Sequence, residues 1–471
     1  MTPEEFREYG YRLIDWIADY RAGVEKHRVT PACEPGDIRG RLQGSPPEVG
    51  ESFDAILSDL DDVILPGIAH WQHPRFFGYF PSNALLSSVL GDLASSGLGV
   101  IGLSWQSSPA LTEVEEVAVD WVRQLVGLSE QWSGVIQDTA SSSTLVALLC
   151  SRERATDSSG SRGGLQAESQ PLIVYVSEQA HSSVAKAAIL AGFGRDNIRS
   201  ISTDADHALD PSALERAIEV DLAAGRRPCA VVATSGTTAC TAFDPIRAIA
   251  EIARARGIWC HVDAAMAGSA MILPELRHLW EGIEAADSLV LNAHKWLGVV
   301  FDCSLYYIKD PQELIRVMST NPSYLRTATD GRATNYRDWG IPLGRRFRAL
   351  KLWSLLRCEG AERLRTRMRR DLENARRLAA MVGQEPAWRV VSTPQLQTIC
   401  VRHEPPGLAG ASLDEHTLAW VDRINRSGFA YLTPAVLDGR WMARISVGAE
   451  STERDDIDAL WIEMKRAAAT V

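Results

Sequence analysis

The apolar positions of this chain change their period along its length, and those changes divide it into parts. Phe6, Leu13, Ile14 and Ile17 recur at helical spacing, which predicts an amphipathic helix over residues 3–26. A Pro- and Gly-rich passage from Thr30 to Glu51 follows, then a second helical pattern from Phe53 to Leu65, stopped by Pro66-Gly67. From about residue 110 to 310, helical patterns alternate with short runs of mostly apolar residues: Leu172 to Val176, Ala230 to Ala233, Ile258 to Val262, Ser288 to Leu291 and Cys303 to Ile308. Strands apolar on both faces must be covered on both faces. The expected fold class is therefore α/β, a mainly parallel sheet flanked by helices. After Pro342 a long helix is expected through Leu350 to Met381, and the C-terminal part carries strand patterns at Leu396 to Arg402 and Trp441 to Val447 with helical patterns over 414–427 and 453–467. The resulting division is 1–80, a helical segment with little core of its own that is expected to pack on a dimer partner; 81–350, a large domain; and 351–471, a small α+β domain.

Composition narrows the setting. Hydrophobic residues make up 45% and charged residues 23% of the 471, ordinary values for a soluble globular protein, and the net charge of −11 argues against nucleic acid or an anionic membrane as partner. Basic runs such as Arg363 to Arg370 read as solvated helix faces. The cysteines are scattered, without C-x-x-C or zinc-type spacing, so no metal is expected and a reduced, cytoplasmic compartment is the simpler inference. Met1 to Tyr20 is an acid-containing amphipathic pattern and not a signal peptide. Leu85 to Trp105 is the most membrane-like stretch, but Asp92 and its many Ser and Gly residues make it a buried core segment in this reading.

Chemistry concentrates at strand ends. Asn292-Ala293-His294-Lys295-Trp296 follows one apolar run, and His261-Val262-Asp263-Ala264-Ala265 closes another. A lysine at the mouth of a buried strand and an aspartate at the end of a second suit pyridoxal 5'-phosphate (PLP). The lysine amine can form a Schiff base where its proton affinity is depressed, and the carboxylate, paired with the pyridine nitrogen, keeps that nitrogen protonated so that the ring can accept electrons. Elimination favours Lys295, since the chain holds only Lys26, Lys186, Lys295, Lys309, Lys351 and Lys465. Lys26 and Lys465 lie in charged terminal helices, Lys309 opens a Lys-Asp-Pro turn, and Lys351 follows an arginine cluster, so Lys186 is the competitor. A lysine merely reaching to solvent from a strand end is the bland alternative.

Three further groups join these two. Gln137 to Thr144 precedes a helical run, and hydroxyls with open amides at a helix start suit a phosphate, simple N-capping being the rival. Thr234-Ser235-Gly236-Thr237-Thr238 follows a strand and either faces the same crevice or is a plain turn. His181 lies just past the strand ending at Val176, placed to stack on a cofactor ring or to move protons near neutral pH. Gly97 to Gly102 fits G-x-G-x-x-G but lacks the strand before it, and Ser183 to Lys186 fits S-x-x-K without its companion motifs.

Taken together, His73-Pro74-Arg75-Phe76-Phe77-Gly78-Tyr79-Phe80-Pro81, Ser104 to Ala110, Gln179 to Ser183, His261 to Ala265, Asn292 to Trp296 and Ile341 to Phe347 resemble the group II PLP-dependent decarboxylases, most closely the aromatic L-amino-acid (dopa) decarboxylases of bacterial type. The resemblance runs nearly end to end. It implies PLP fold type I, aspartate-aminotransferase-like, and a homodimer with active sites at the subunit interface. It also implies that Lys295 carries the Schiff base, Asp263 meets the pyridine nitrogen, His181 stacks on the ring, and Thr139, Ala140, Ser141 and Asn292 contact the phosphate, with Thr238, Ala265 and His294 beside the cofactor. Tyr324 matches a tyrosine on a mobile loop that supplies a proton after carbon dioxide leaves. Trp71, Tyr79, Phe80, Pro81 and Ser82, with Ile101 and Leu103 from the second subunit, match the aromatic pocket.

Some positions depart from the animal members, which carry Phe where Leu103 stands and Thr where Ser82 stands. Gly344 matches the aromatic enzymes and not the serine of similar histidine decarboxylases. The expected activity is removal of carbon dioxide from an aromatic L-amino acid, dopa first among 5-hydroxytryptophan, tryptophan, phenylalanine and tyrosine. The rivals are an aromatic acetaldehyde synthase, in which the loop tyrosine or the stacking histidine is typically replaced, a histidine decarboxylase, and a PLP-binding regulator, for which the acidic chain has no basic DNA-binding segment.

Overall fold

A computed structural model of the chain describes residues 1–320 and 331–469. Contacts divide it into two compact units, Ser82–Arg370 with Ser392–Leu396, and Met1–Pro81 with Asp371–Val391 and Gln397–Val471.

The larger unit is built on seven strands: β1 Ser133–Gln137, β2 Leu172–Ser177, β3 Ile198–Ile201, β4 Arg227–Thr234, β5 Trp259–Asp263, β6 Ser288–Asn292 and β7 Ser304–Ile308. Their order is β1-β7-β6-β5-β4-β2-β3. β6, β5, β4, β2 and β3 run parallel, and β7 pairs antiparallel with both β1 and β6. Every residue of β2, β5, β6 and β7 is buried, as runs apolar on both faces require. Five strands thus match the apolar runs in the sequence, within a residue or a few at each end. The mainly parallel α/β sheet is as expected.

Because β7 reverses twice, β1 points the same way as β6, and the register sets Gln137 and Asn292 on either side of Ser304. Thr234 lies opposite Asp263, which in turn lies opposite Val290. The carboxyl ends of β1, β2, β4, β5 and β6 therefore share one edge of the sheet, where ligands bind in folds of this kind.

The smaller unit carries an antiparallel sheet, in the order β10-β11-β9-β8, of β8 Trp388–Val390, β9 Thr398–His403, β10 Thr433–Leu437 and β11 Arg440–Ser446. The helices Ala411–Ser427 and Arg454–Ala469 bury Trp420 and Trp461 in its core. The N-terminal helix Pro3–Gly23 buries none of its residues.

Two expectations need correction. Leu85 to Trp105 is no core segment: it forms the helix Leu86–Leu98, which leaves Leu86, Leu90 and Leu93 exposed, and Ile101 beyond it as well. These leucines recur at i, i+4 and i+7, so they form one uncovered apolar stripe. Nor is Arg363 to Arg370 wholly a solvated face, because Arg367 is buried. Among the described residues no helix is long and apolar enough to cross a membrane.

Candidate active site

Each strand end at the shared edge contributes one group. β5 ends in Asp263, whose Oδ1 accepts the Ala265 amide at 3.1 Å, a short local bond that aims the carboxylate outward while the residue stays buried. The turn after β5 is pinned by the Ala265 carbonyl, which accepts the Asn292 amide at 2.9 Å. β6 leads into Ala293–Leu297, a single wide helical turn in which Lys295 departs from helical angles. Lys295 is half-buried.

β2 leads to His181, the N-cap of the helix Ser182–Leu190. Its Nδ1 accepts the Ser183 amide at 3.2 Å and lies 2.7 Å from Ser183 Oγ. An accepting Nδ1 places the ring proton on Nε2. Burial lowers the His181 pKa, the Asp263 carboxylate draws it back up and the Lys295 ammonium pushes it down, so His181 feels both charges.

β1 leads through Asp138 to Thr139, the N-cap of the helix Ala140–Ala155. Its hydroxyl makes no capping bond, so the amides at this helix start are not spent on Thr139 and the simple N-cap reading does not hold. The Asn292 side chain has a buried oxygen with no hydrogen-bond partner. An amide that can turn to offer either end, beside open helix amides, suits a phosphate. After β4, the Thr234 amide donates to Asp244 at 2.6 Å, and Thr237 closes a turn by accepting the Ala242 amide at 3.0 Å. Thr237 therefore serves the turn, while Thr238 is exposed.

His294 is buried and accepts the Cys303 amide at 2.9 Å on Nδ1; burial first, then the Lys295 charge, lowers its pKa to about 4. His261, wholly buried in β5 with Nδ1 2.8 Å from Ser288 Oγ, is lowered by burial to about 4 as well. These shifts set the sign of a pH dependence. An unfolded histidine takes its proton near pH 6.5, the folded ones only near 4, so between those values the unfolded state holds more protons and stability rises with pH. The contribution is complete above pH 6.5 and is lost as the pH falls toward 4, on the order of 3 kcal/mol for the fully buried His261. The expected result is a lower urea midpoint at pH 5 than at pH 7. An unchanged midpoint would mean that these histidines take up protons as readily in the fold as in the unfolded chain.

The other residues that the sequence singled out are divided between the two units. In the smaller unit, Trp71 packs on Phe76 at 4.5 Å and on Tyr79 at 5.4 Å, and Phe80 lies 4.1 Å beneath the Arg444 guanidinium, with Pro81 buried. Tyr431, whose hydroxyl donates to that of Tyr79 at 3.1 Å, could not be singled out beforehand because no local motif surrounds it. In the larger unit, Ser82 Oγ donates to the His294 carbonyl at 3.2 Å, and Leu103 is half-buried. Tyr324 lies outside the described residues.

Lys351, set aside on sequence grounds, is fully buried, with Nζ 3.3 Å from Asp92 and 3.9 Å from Asp302. Its charge is committed to two carboxylates. Among the described residues no three His, Cys, Asp or Glu side chains converge as a metal would require.

Residues 35–404 match the model of the pyridoxal-dependent decarboxylase conserved domain. The chain belongs to this family. It is 40% identical to a phenylacetaldehyde synthase of Arabidopsis thaliana over 98% of this chain and 95% of the relative. It is 38% identical to the bovine (Bos taurus) aromatic-L-amino-acid decarboxylase over 100% of this chain and 97% of that one. The crystal structure of Oryza sativa TDC with PLP and tryptamine superposes with a TM-score of 0.96 at 36% identity, covering 100% of this chain and 98% of that one. The enzyme is thus a lyase-type, group II PLP-dependent decarboxylase of fold type I, in the aromatic amino-acid branch. PLP is its cofactor, and the open helix amides, the unpartnered Asn292 oxygen and the buried Asp263 are the kinds of group that would hold one.

Proposed function

We propose that this decarboxylase converts an aromatic L-amino acid, dopa foremost, to its arylalkylamine and carbon dioxide, as a cytoplasmic homodimer. The observation that carries the reading is the placement of Lys295, Asp263 and His181 at one sheet edge, where the Asp263 and Lys295 charges both act on His181. When bound, PLP supplies an electron-accepting ring. Lys295 would attach it through Nζ, Asp263 would hold a proton at the pyridine nitrogen, and His181, fixed by Ser183, would lie across the ring face. Thr139, Ala140, Ser141 and Asn292 would bind the phosphate, with Thr238, Ala265 and His294 beside it. The protein's other task is orientation: the bond to the carboxylate must stand perpendicular to the ring for its electrons to leave. Trp71, Tyr79 and Phe80 suit an aromatic substrate better than an acidic one.

The dimer has its own support. Leu86, Leu90 and Leu93 are exposed along one helix, and a helix face of that composition is normally covered. Sedimentation should show two chains, and Leu90→Glu should shift the equilibrium toward one. A single-chain mass for the unmodified protein would remove the proposal.

A second reading, oxidative release of an aldehyde, is supported by the 40% identical phenylacetaldehyde synthase. The presence of both His181 and Tyr324 favours the amine. If Tyr324 delivers the proton to the substrate's alpha carbon, Tyr324→Phe should slow amine formation by roughly 10²- to 10⁴-fold. Aldehyde, ammonia and peroxide should then rise as oxygen is consumed. A panel of dopa, 5-hydroxytryptophan, tryptophan, phenylalanine, tyrosine and histidine, scored for amine, carbon dioxide, aldehyde and oxygen uptake, tests all of this. Aldehyde from the unmodified enzyme would favour the second reading, and an unchanged amine yield in the variant would assign the proton to another group.

A further inference from the structure

The turn that carries Lys295 cannot hold itself. Ala293–Leu297 is one wide helical turn ended by Gly298 at φ 106°, and Lys295 sits inside it at φ −97° and ψ −117°. A single turn fixes several backbone angles for very few internal hydrogen bonds, and its last carbonyls have no partner within it. Trp296 and Leu297 are buried, so water is not the obvious substitute.

The partner comes from a distant part of the chain. Arg367, on the helix Arg348–Gln384, sends Nη2 to the Trp296 carbonyl at 2.5 Å and to the Leu297 carbonyl at 2.9 Å. Arg367 is itself only 8% exposed, so its guanidinium makes these bonds in the interior, where a charge-assisted bond is strong and its loss is costly. Gly298 makes room for it: a Cβ there would stand 3.3 Å from Arg367 Nη2 and 2.3 Å from Leu85 Cδ1. On the preceding side, Ser82 Oγ bonds the His294 carbonyl. The carbonyls before and after Lys295 are thus each gripped from outside the turn.

We infer that Arg367 is a positioning residue for Lys295, fixing through the Trp296 and Leu297 carbonyls the direction in which Nζ leaves the turn. Nothing in the basic run Arg363 to Arg370 marks this arginine apart from its neighbours. Its partners, more than sixty residues earlier in the chain, give it the role. The inference rests on Lys295 being the attachment lysine, and the test separates the two claims.

Arg367→Gln and Arg367→Lys are made in the full-length holoenzyme, alongside the unmodified protein. Four quantities are read: the pH midpoint of the bound cofactor's visible absorbance, cofactor loss on dialysis, kcat and KM, and the melting midpoint of the cofactor-free protein. A misplaced reacting group can cost about a hundredfold, so Arg367→Gln should lower kcat by roughly 10- to 100-fold with little change in KM. Its absorbance midpoint should move by about half a pH unit or more, and cofactor should leave faster. Arg367→Lys, which keeps the charge but not the fork, should fall between. An unmoved absorbance midpoint with unmoved retention would overturn the inference even if the melting midpoint drops, since packing alone would explain the drop. Should the Gln variant be insoluble, the Lys variant decides on the same readouts, unmoved values again overturning the inference. Borohydride labelling of the unmodified enzyme at a lysine other than Lys295 would instead overturn the assignment beneath it.

Discussion

Lys295→Ala is expected to lose turnover altogether, roughly a thousandfold or more, together with the borohydride-stable link between protein and cofactor, while Lys186→Ala keeps both. The structure sharpens the elimination that the sequence began. Lys186 is exposed on the helix Ser182–Leu190, and Lys26 and Lys465 are exposed as well. Lys309 reaches the Glu284 carbonyl and lies over the Trp132 ring. Lys351 is enclosed, but Asp92 and Asp302 hold its amine as a charged ion-pair partner, the opposite of what a nucleophile needs. Lys295 is left, on a distorted turn at the carboxyl end of a buried strand. Peptide mapping after borohydride reduction checks the assignment: a label on Lys186 or Lys351 that persists in Lys295→Ala would assign the attachment elsewhere.

Much of this arrangement was legible because buried strands and their ends leave local marks. Leu172 to Val176 is apolar throughout and Ser288 to Leu291 is apolar after its serine, and runs this short suit buried strands better than helices, so the sheet and the edge carrying Asp263 and Lys295 followed from short windows of sequence. β1 and β3 escaped notice for an equally local reason. Both lie at the sheet edges, where polar residues are tolerated, and Ser133-Gly134 and Arg199-Ser200 break the apolar run.

What stayed hidden depends on distant pairing. The helix Leu86–Leu98 read as core because Asp92 and its Ser and Gly residues made a membrane span unsuitable, yet composition does not say which neighbour covers its leucines. Lys351 and Arg367 lie among arginines, and a basic run on a helix looks solvated until Asp92, Asp302 and two backbone carbonyls are brought to it. Tyr431 reaches Tyr79 only because the fold joins Phe76 and Tyr431 in a bridge. Such contacts have no spacing to read.

Asp263→Ala should cost several kcal/mol of transition-state stabilisation, on the order of a thousandfold in rate or more. The carboxylate sits at the end of β5 with one oxygen on the Ala265 amide, and burial makes its field strong where solvent would screen it. Its proposed work is to keep a proton on the pyridine nitrogen, so the loss should follow the charge and not the volume. Asp263→Asn separates the two. The amide fills the same space and can still accept from Ala265, but it cannot balance a positive nitrogen. Asparagine should therefore lose nearly as much rate as alanine, while its melting midpoint stays closer to that of the unmodified enzyme. The variants should also change His181, whose proton affinity Asp263 raises against burial, so the imidazole pKa followed by NMR should fall in both. Near-normal kinetics in Asp263→Asn would show that the charge is not needed and would remove the electron-accepting role assigned to this residue.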